Sequence, residues 1–440
     1  MIISEYAAPG LHVRDHRVRV PLDWSQEGAG AGLSLFAREL VDPARRNEDL
    51  PCLLYLQGGP GGKAPRPVLR DDESWLGQAL RDHRVILLDQ RGTGRSSPVD
   101  GDTIGRFGTA REAADFLRCF RADSIVADAE HLRTTVFGGK PWTTVGQSYG
   151  GFLTLTYLSR APEGLRACLV TGGLPALAPD AAEVYRRTYP RTEAKNRRFR
   201  QRYPDDVATV ARIADRLAAG DVRLPDGDVL TIRRLQSLGL DFGRKSGFER
   251  VHWLLDEAFA DDAFADGAGE RLSHTFLDGV RERTAFTGGP LFAVLQESAY
   301  GSGPNGPTAW AAQRERAHHP GFREDARPLL FTGEMIYPWM FEEIRALRPF
   351  RAAADVLAAD EEWPPLYDPE RLARNEVPVA AAVYFDDMYV DAGLQLDTAD
   401  AVGRVQTWVT NEHEHDGLAE DGRVFARLTR MLRDTGDLPG

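Results

Sequence analysis

The chain has 440 residues, 27% of them charged and 42% hydrophobic, with a net charge of −12. That length supplies a large core, and the composition is ordinary for a folded water-soluble protein, which excludes a disordered chain. The acidic balance argues against nucleic acid and membrane surfaces as partners, and no run of about 18 apolar residues exists to span a bilayer.

The first residues, Met1-Ile-Ile-Ser-Glu-Tyr6, lack the basic and apolar regions of a secretory signal, so a cytoplasmic protein is expected. Alternating segments at 17–22 and 33–40 predict an antiparallel hairpin on a sheet edge. From residue 52 onwards, short apolar runs at 52–56, 85–89, 143–146, 167–171, 379–385 and 405–410 are separated by helical stretches. This pattern implies an α/β fold with a mostly parallel sheet buried on both faces. Ligands of such sheets bind beyond the carboxyl ends of the strands. Residues 174–328 lack the alternation. Helical spacing at 205–217, 248–259 and 270–282, broken by turn-rich loops at 221–228 and 302–307, predicts a helical cap inserted between the sixth and seventh strands. The core is then split into 1–173 and 329–440, with a further helical segment at 340–358. Cys52, Cys119 and Cys168 have no C-x-x-C spacing and read as reduced core residues.

Three strand ends carry suspicious loops. After 52–56 comes Gln57-Gly-Gly-Pro-Gly-Gly62, with four glycines in six residues. Such a loop presents backbone N–H groups to an oxyanion, and Gly59 is the candidate donor. A phosphate cradle is the competing reading, but the lysine-serine ending of a P-loop is missing. After 85–89 comes Asp89-Gln-Arg-Gly-Thr-Gly-Arg-Ser96, whose Asp89 and Arg91 are expected to neutralise each other within a structural network. After 143–146, Ser148 sits at the centre of Gly146-Gln-Ser-Tyr-Gly150. A strand turning sharply into a helix lifts such a serine clear of the sheet, and Gly146 and Gly150 stand where side chains would collide. The amide of Tyr149 is the second oxyanion candidate.

A serine nucleophile needs a base, and the base needs an orienting acid, in the chain order serine, acid, histidine. Of ten histidines, only His413 and His415 follow the last strand. His415 is preferred because Asp416-Gly417 holds it on a turn, whereas His318 and His319 fall within the cap. For the acid, Asp386, Asp387 and Asp391 follow the run 379–385. Asp387 is preferred as the carboxylate just past the strand end, the others being helix-capping or solvated.

With these pieces assembled, the chain resembles the prolyl aminopeptidases, or proline iminopeptidases, of the α/β-hydrolase superfamily. The resemblance rests on Val18-Arg-Val-Pro-Leu-Asp-Trp24, Gly58-Gly-Pro-Gly-Gly62, Asp89-Gln-Arg-Gly-Thr-Gly-Arg-Ser96, Gly146-Gln-Ser-Tyr-Gly-Gly151, Asp386-Asp387 and Glu414-His415-Asp416-Gly417, and spans nearly the whole chain. Gln57 is a departure, since many relatives carry histidine there. The resemblance implies an α/β-hydrolase fold and release of N-terminal proline, and sometimes other residues, without metal or other cofactor. It also implies cap carboxylates that hold the substrate's free amino group. Glu297, three positions before Tyr300, matches the family pattern, and Glu334 is the second candidate, a charge in an apolar segment. Opposite charges about 4 Å apart gain roughly 4 kcal/mol at an effective dielectric of about 20, before desolvation. Trp310, Tyr337 and Trp339 read as cap core sooner than as walls of a proline pocket.

The expected activity is therefore that of a serine aminopeptidase acting on short peptides with a free N-terminus, with Ser148, His415 and Asp387 as the triad. A carboxylesterase with the same triad is the nearest rival, and a non-catalytic binding module the remotest. A homo-oligomer is left open, since no sequence feature identifies a contact surface.

Overall fold

The computed structural model describes residues 1–26, 32–67, 71–178, 180–259, 271–303 and 305–438. Its nine strands form one sheet in the order β1 (Ile2–Ala8), β2 (Leu11–Pro21), β3 (Gly32–Val41), β5 (Arg84–Asp89), β4 (Cys52–Leu56), β6 (Trp142–Gln147), β7 (Leu165–Thr171), β8 (Val379–Tyr384) and β9 (Val405–Thr410). From β5 across to β9 neighbouring strands are parallel. β1, β2 and β3 add an antiparallel edge, with β3 pairing β5. The expected hairpin is thus the inner part of a three-stranded edge.

Period-two alternation divides the strand residues between two cores. Leu54, Leu56, Ile86, Leu88 and Val170 face one side, against Leu153, Tyr157 and Leu132 of the helices Tyr149–Arg160 and Ala122–Thr135. Leu53, Tyr55, Val85, Leu87 and Leu169 face the other, against Phe425, Leu428 and Leu432 of Arg423–Asp434. Burial on both faces is why the parallel strands read as unbroken apolar runs. β4 lies between β5 and β6, so the connection from β4 to β5 runs to one side and the next, from β5 to β6, crosses back to the other. The crevice this opens at the carboxyl ends of β4 and β6 is where such sheets bind ligands.

Between β7 and β8 the described residues contribute no strand to the sheet. It forms the helices Ala181–Arg202, Asp206–Ala218, Gly247–Asp256 and His274–Thr284, with shorter ones. The expected segment 270–282 begins partly outside the described residues. Past residue 328 the chain stays with these helices: Phe331 and Asn196 exchange hydrogen bonds of 2.8 Å, and Thr332 N–H donates to Gln236 at 2.8 Å. The expected helix 340–358 is broken into Met340–Glu343, a 3₁₀ turn Arg348–Phe350 containing Pro349, and Arg351–Ala358. No helix among the described residues is long and apolar enough to cross a membrane, and all three cysteines are free.

The network around residues 89–96 differs from expectation in its partners. Asp89 pairs with Arg66 through two hydrogen bonds of 2.8 and 2.6 Å. Arg91, fully buried, forks onto Asp128 of Ala122–Thr135 and also donates to the carbonyls of Pro21, Leu22 and Cys119. Neighbours on a tight turn point apart, so each charge finds its counterpart on another element.

Candidate active site

β6 ends at Gln147, and Ser148 turns the chain directly into the helix Tyr149–Arg160 with φ 56° and ψ −124°. That conformation suits glycine, and close packing holds the serine in it. A Cβ on Gly146 would lie 2.4 Å from the Gly150 carbonyl oxygen, and one on Gly150 only 2.0 Å from that of Leu56. Both glycines are therefore required by contact. The loop after β4 comes equally close: a Cβ on Gly58 would stand 3.1 Å from the Ser148 Cβ and 3.7 Å from its Oγ. Sequence reading picked Gly59 in this loop and passed over Gly58. Gln90 donates to the Gln57 carbonyl at 2.7 Å, pinning the residue at which the chain departs from many relatives.

Asp387 lies three residues beyond β8 and is fully buried. One carboxylate oxygen accepts the N–H groups of Tyr389 and Val390 at 2.8 and 3.2 Å, and the other meets His415 Nδ1 at 2.6 Å. His415 follows β9 on a loop whose backbone is tied to the insertion, its N–H donating to the Gly243 carbonyl at 3.0 Å. Its ring packs edge-on to Tyr389 at 4.8 Å. Burial disfavours the imidazolium, but the charge and hydrogen bond of Asp387, helped by Glu334 and Asp416, outweigh it and raise the pKa above the usual 6.5.

The competing residues are engaged elsewhere. Asp386 pairs with Arg198 at 3.0 Å, and Asp391 caps the helix Ala392–Ala401 while pairing with Arg191. His413 packs its ring against Tyr384 and Trp408. Glu414, beside His415, pairs with the buried Lys195. Arg191, Lys195 and Arg198 form one stripe along the helix Ala181–Arg202. This basic stripe grips both loops that carry the histidine and its carboxylate. Sequence reading missed it, because a charged stripe on a helix looks like a solvated face.

Ser148, His415, Gly58, Gly59, Gln147, Tyr389 and Glu334 line one cavity of about 520 Å³, closed from the other side by Leu240, Arg244, Arg250 and Phe292 of the insertion. Tyr149 is not on its wall. Its ring is buried, and its amide is the first N–H of the helix, a position without an acceptor in the same helix. The two candidate glutamates part company. Glu334 opens onto the cavity, and enclosure by protein pushes its carboxyl up to about 7 against the pull of His415. Glu297 lies off the cavity wall, buried, with both oxygens accepting backbone N–H groups of Ala311 and Ala312 at 3.0 and 2.9 Å. Burial raises it too, to about 7, against those two bonds. Glu297 thus caps the helix Ala311–Arg316 in this structure instead of facing Ser148. Both glutamates nevertheless act electrostatically on Tyr185 and Tyr300, which stand near them. Tyr337 and Trp339 are buried in the insertion, and Trp310 bonds Asp355. Among the described residues no group of three or more His, Cys, Asp or Glu is arranged to hold a metal ion.

A family model for the alpha/beta hydrolase fold matches residues 51–212. A proline iminopeptidase from Aeromonas sobria is 44% identical over 431 residues, covering 98% of each chain. Proline iminopeptidase aneH from Aspergillus aculeatus is 34% identical over 436 residues, covering 96% of this chain and 94% of the other. The crystal structure of a proline iminopeptidase from Mycobacterium smegmatis aligns over 96% of this chain and 99% of its own, with 15% identity and a TM-score of 0.43.

Proposed function

The chain belongs to the proline iminopeptidase family of α/β-hydrolases, and from that membership we propose that it is a serine aminopeptidase releasing N-terminal proline from short peptides through an acyl-enzyme. The observation that carries this reading is the 2.6 Å bond between His415 Nδ1 and Asp387 on the wall of the cavity that Ser148 also lines.

In the proposed reaction Ser148 Oγ attacks the carbonyl of the N-terminal residue while His415 Nε2 takes its proton. Asp387 holds the imidazole in the tautomer that leaves Nε2 free and stabilises the charge that forms. Amides of Tyr149 and the Gly58–Gly59 loop receive the developing oxyanion. His415 then gives the proton to the leaving amine, and water repeats the cycle on the acyl-enzyme. Glu334 is the group for the substrate ammonium, since it alone of the two glutamates opens on the cavity. Glu297 contributes its field from behind. The helical segment between β7 and β8 serves as a cap that shields these charges from water. Three free cysteines suit a reducing compartment and support a cytoplasmic setting.

The test compares a chromogenic prolyl amide with its N-acetyl counterpart. The expected result is cleavage of the free amine only, lost in Ser148→Ala, with a serine-directed phosphonate labelling Ser148. Equal cleavage of the blocked compound would assign the site to a general acyl hydrolase.

A further inference from the structure

A short peptide carries one charge of each sign, and Glu334 suits only the amino end. The same cavity wall holds two guanidinium groups, Arg244 and Arg250, whose side chains are exposed and make no ion pair or hydrogen bond among the described residues. On the long cap helix Arg186 and Arg187 pair with Glu183 and Arg191 with Asp391, while Arg200 makes no such pair among the described residues. An unpaired guanidinium is always charged and presents a flat fork of donors that matches a carboxylate.

Their position specifies which carboxylate. Arg244 directly follows Gly243, whose carbonyl accepts the His415 N–H at 3.0 Å. The imidazole hands its proton to the leaving amine, so the leaving peptide departs on the side of His415. Arg250 lines both this cavity and a neighbouring groove that carries Trp253 and Arg283 but also Glu257, Asp278 and Glu282, and so stands at the border between them, its cavity side being the one open to a carboxylate. The remaining charges on the wall are Lys63, Asp416 and Glu420, of which Asp416 accepts the Lys245 N–H at 3.0 Å. A leaving group of one residue sets its carboxylate about 3.5 Å beyond the scissile nitrogen, and one of two residues about 7 Å.

We infer that Arg244 and Arg250 receive the C-terminal carboxylate of the leaving peptide, which makes the site selective for dipeptides and tripeptides with a free carboxyl end. This rests on the aminopeptidase reading above. Arg244 serves the dipeptide and Arg250 the longer leaving group.

The experiment measures kcat and KM for Pro-Gly, Pro-Gly-Gly, their C-terminal amides and Pro-Asp-amide, on the wild type and on Arg244→Ala, Arg244→Lys, Arg250→Ala and the double alanine variant. The wild type is expected to favour each acid over its amide by on the order of tenfold or more in kcat/KM, mainly through KM. That ratio should collapse for the dipeptide in Arg244→Ala and for the tripeptide in Arg250→Ala, recover in part in Arg244→Lys, and shrink in about 0.5 M salt. Each ratio is taken within one preparation, so a variant that folds poorly still reports it. Equal rates on acid and amide in the wild type, or a preference that survives double replacement, overturns the inference. So does a Pro-Asp-amide as good as Pro-Gly, which would assign the pair to acidic side chains. If the wild type fails to cleave a chromogenic prolyl amide, which has no carboxylate, it is the aminopeptidase reading that falls.

Discussion

Ser148 stands at φ 56° and ψ −124°, the geometry of the first central residue of a type II′ turn, a glycine position. Holding a side chain there costs about 1–3 kcal/mol, offset by the contacts of the two flanking elements. Ser148→Gly is therefore expected to be inactive yet more stable than the equally inactive Ser148→Ala by about 1 kcal/mol in urea unfolding. Equal midpoints would show that the elbow relaxes when the hydroxyl is removed. As the proposed base His415 must be neutral, and its pKa is raised, so activity should fall as pH drops through a value above that of a free imidazole. Part of that rise comes from Glu334. In Glu334→Gln the acid limb of kcat/KM should move to lower pH while KM for prolyl substrates rises at least tenfold. A limb that stays or moves up contradicts the assignment. At this scale the sequence shows which residue types recur near strand ends, but not where a side chain points. Glu297 illustrates the limit: its carboxylate is claimed by amides 14 and 15 residues further along, and a spacing to Tyr300 carries no trace of that.

Elements were legible in proportion to how completely they are buried. β4 to β8 announce themselves as apolar runs because both faces are covered, and the elbow is visible because a strand must end against glycines that contact dictates. β1 stayed hidden because most of its residues are exposed, leaving no alternation to read. The helix expected at 340–358 has the right periodicity, yet Pro349 cannot continue a helical ladder and splits it. The loop after β5 shows what local spacing conceals. Its Arg91 ties that loop to the end of β2 and to the helix Ala122–Thr135 by way of Asp128, with both side chains fully buried. Arg91→Ala strands a buried carboxylate, so a loss of about 3–5 kcal/mol is expected in urea or thermal unfolding. A loss under 1 kcal/mol would mean that water replaces the guanidinium at little cost.

In the whole molecule, the sheet supplies the proposed nucleophile from the end of β6, the proposed acid from the end of β8 and the proposed base from the loop after β9, and the insertion closes the cavity over them. The order of these parts was readable from the chain, since each follows its own strand. The stripe Arg191, Lys195 and Arg198 was not, because Asp391, Glu414 and Asp386 are distant in sequence and become partners only when the long cap helix lies across both loops. Lys195→Met should lower kcat about tenfold with a smaller change in KM, and lower stability by roughly 1–3 kcal/mol, because Glu414 keeps some access to water. An unchanged kcat would show that the loop holds His415 unaided. Three simultaneous attachments hold the long cap helix against both loops. Lifting this helix would pull the loops that carry Asp387 and His415 out of register, so helix and both loops are tied to move as one unit.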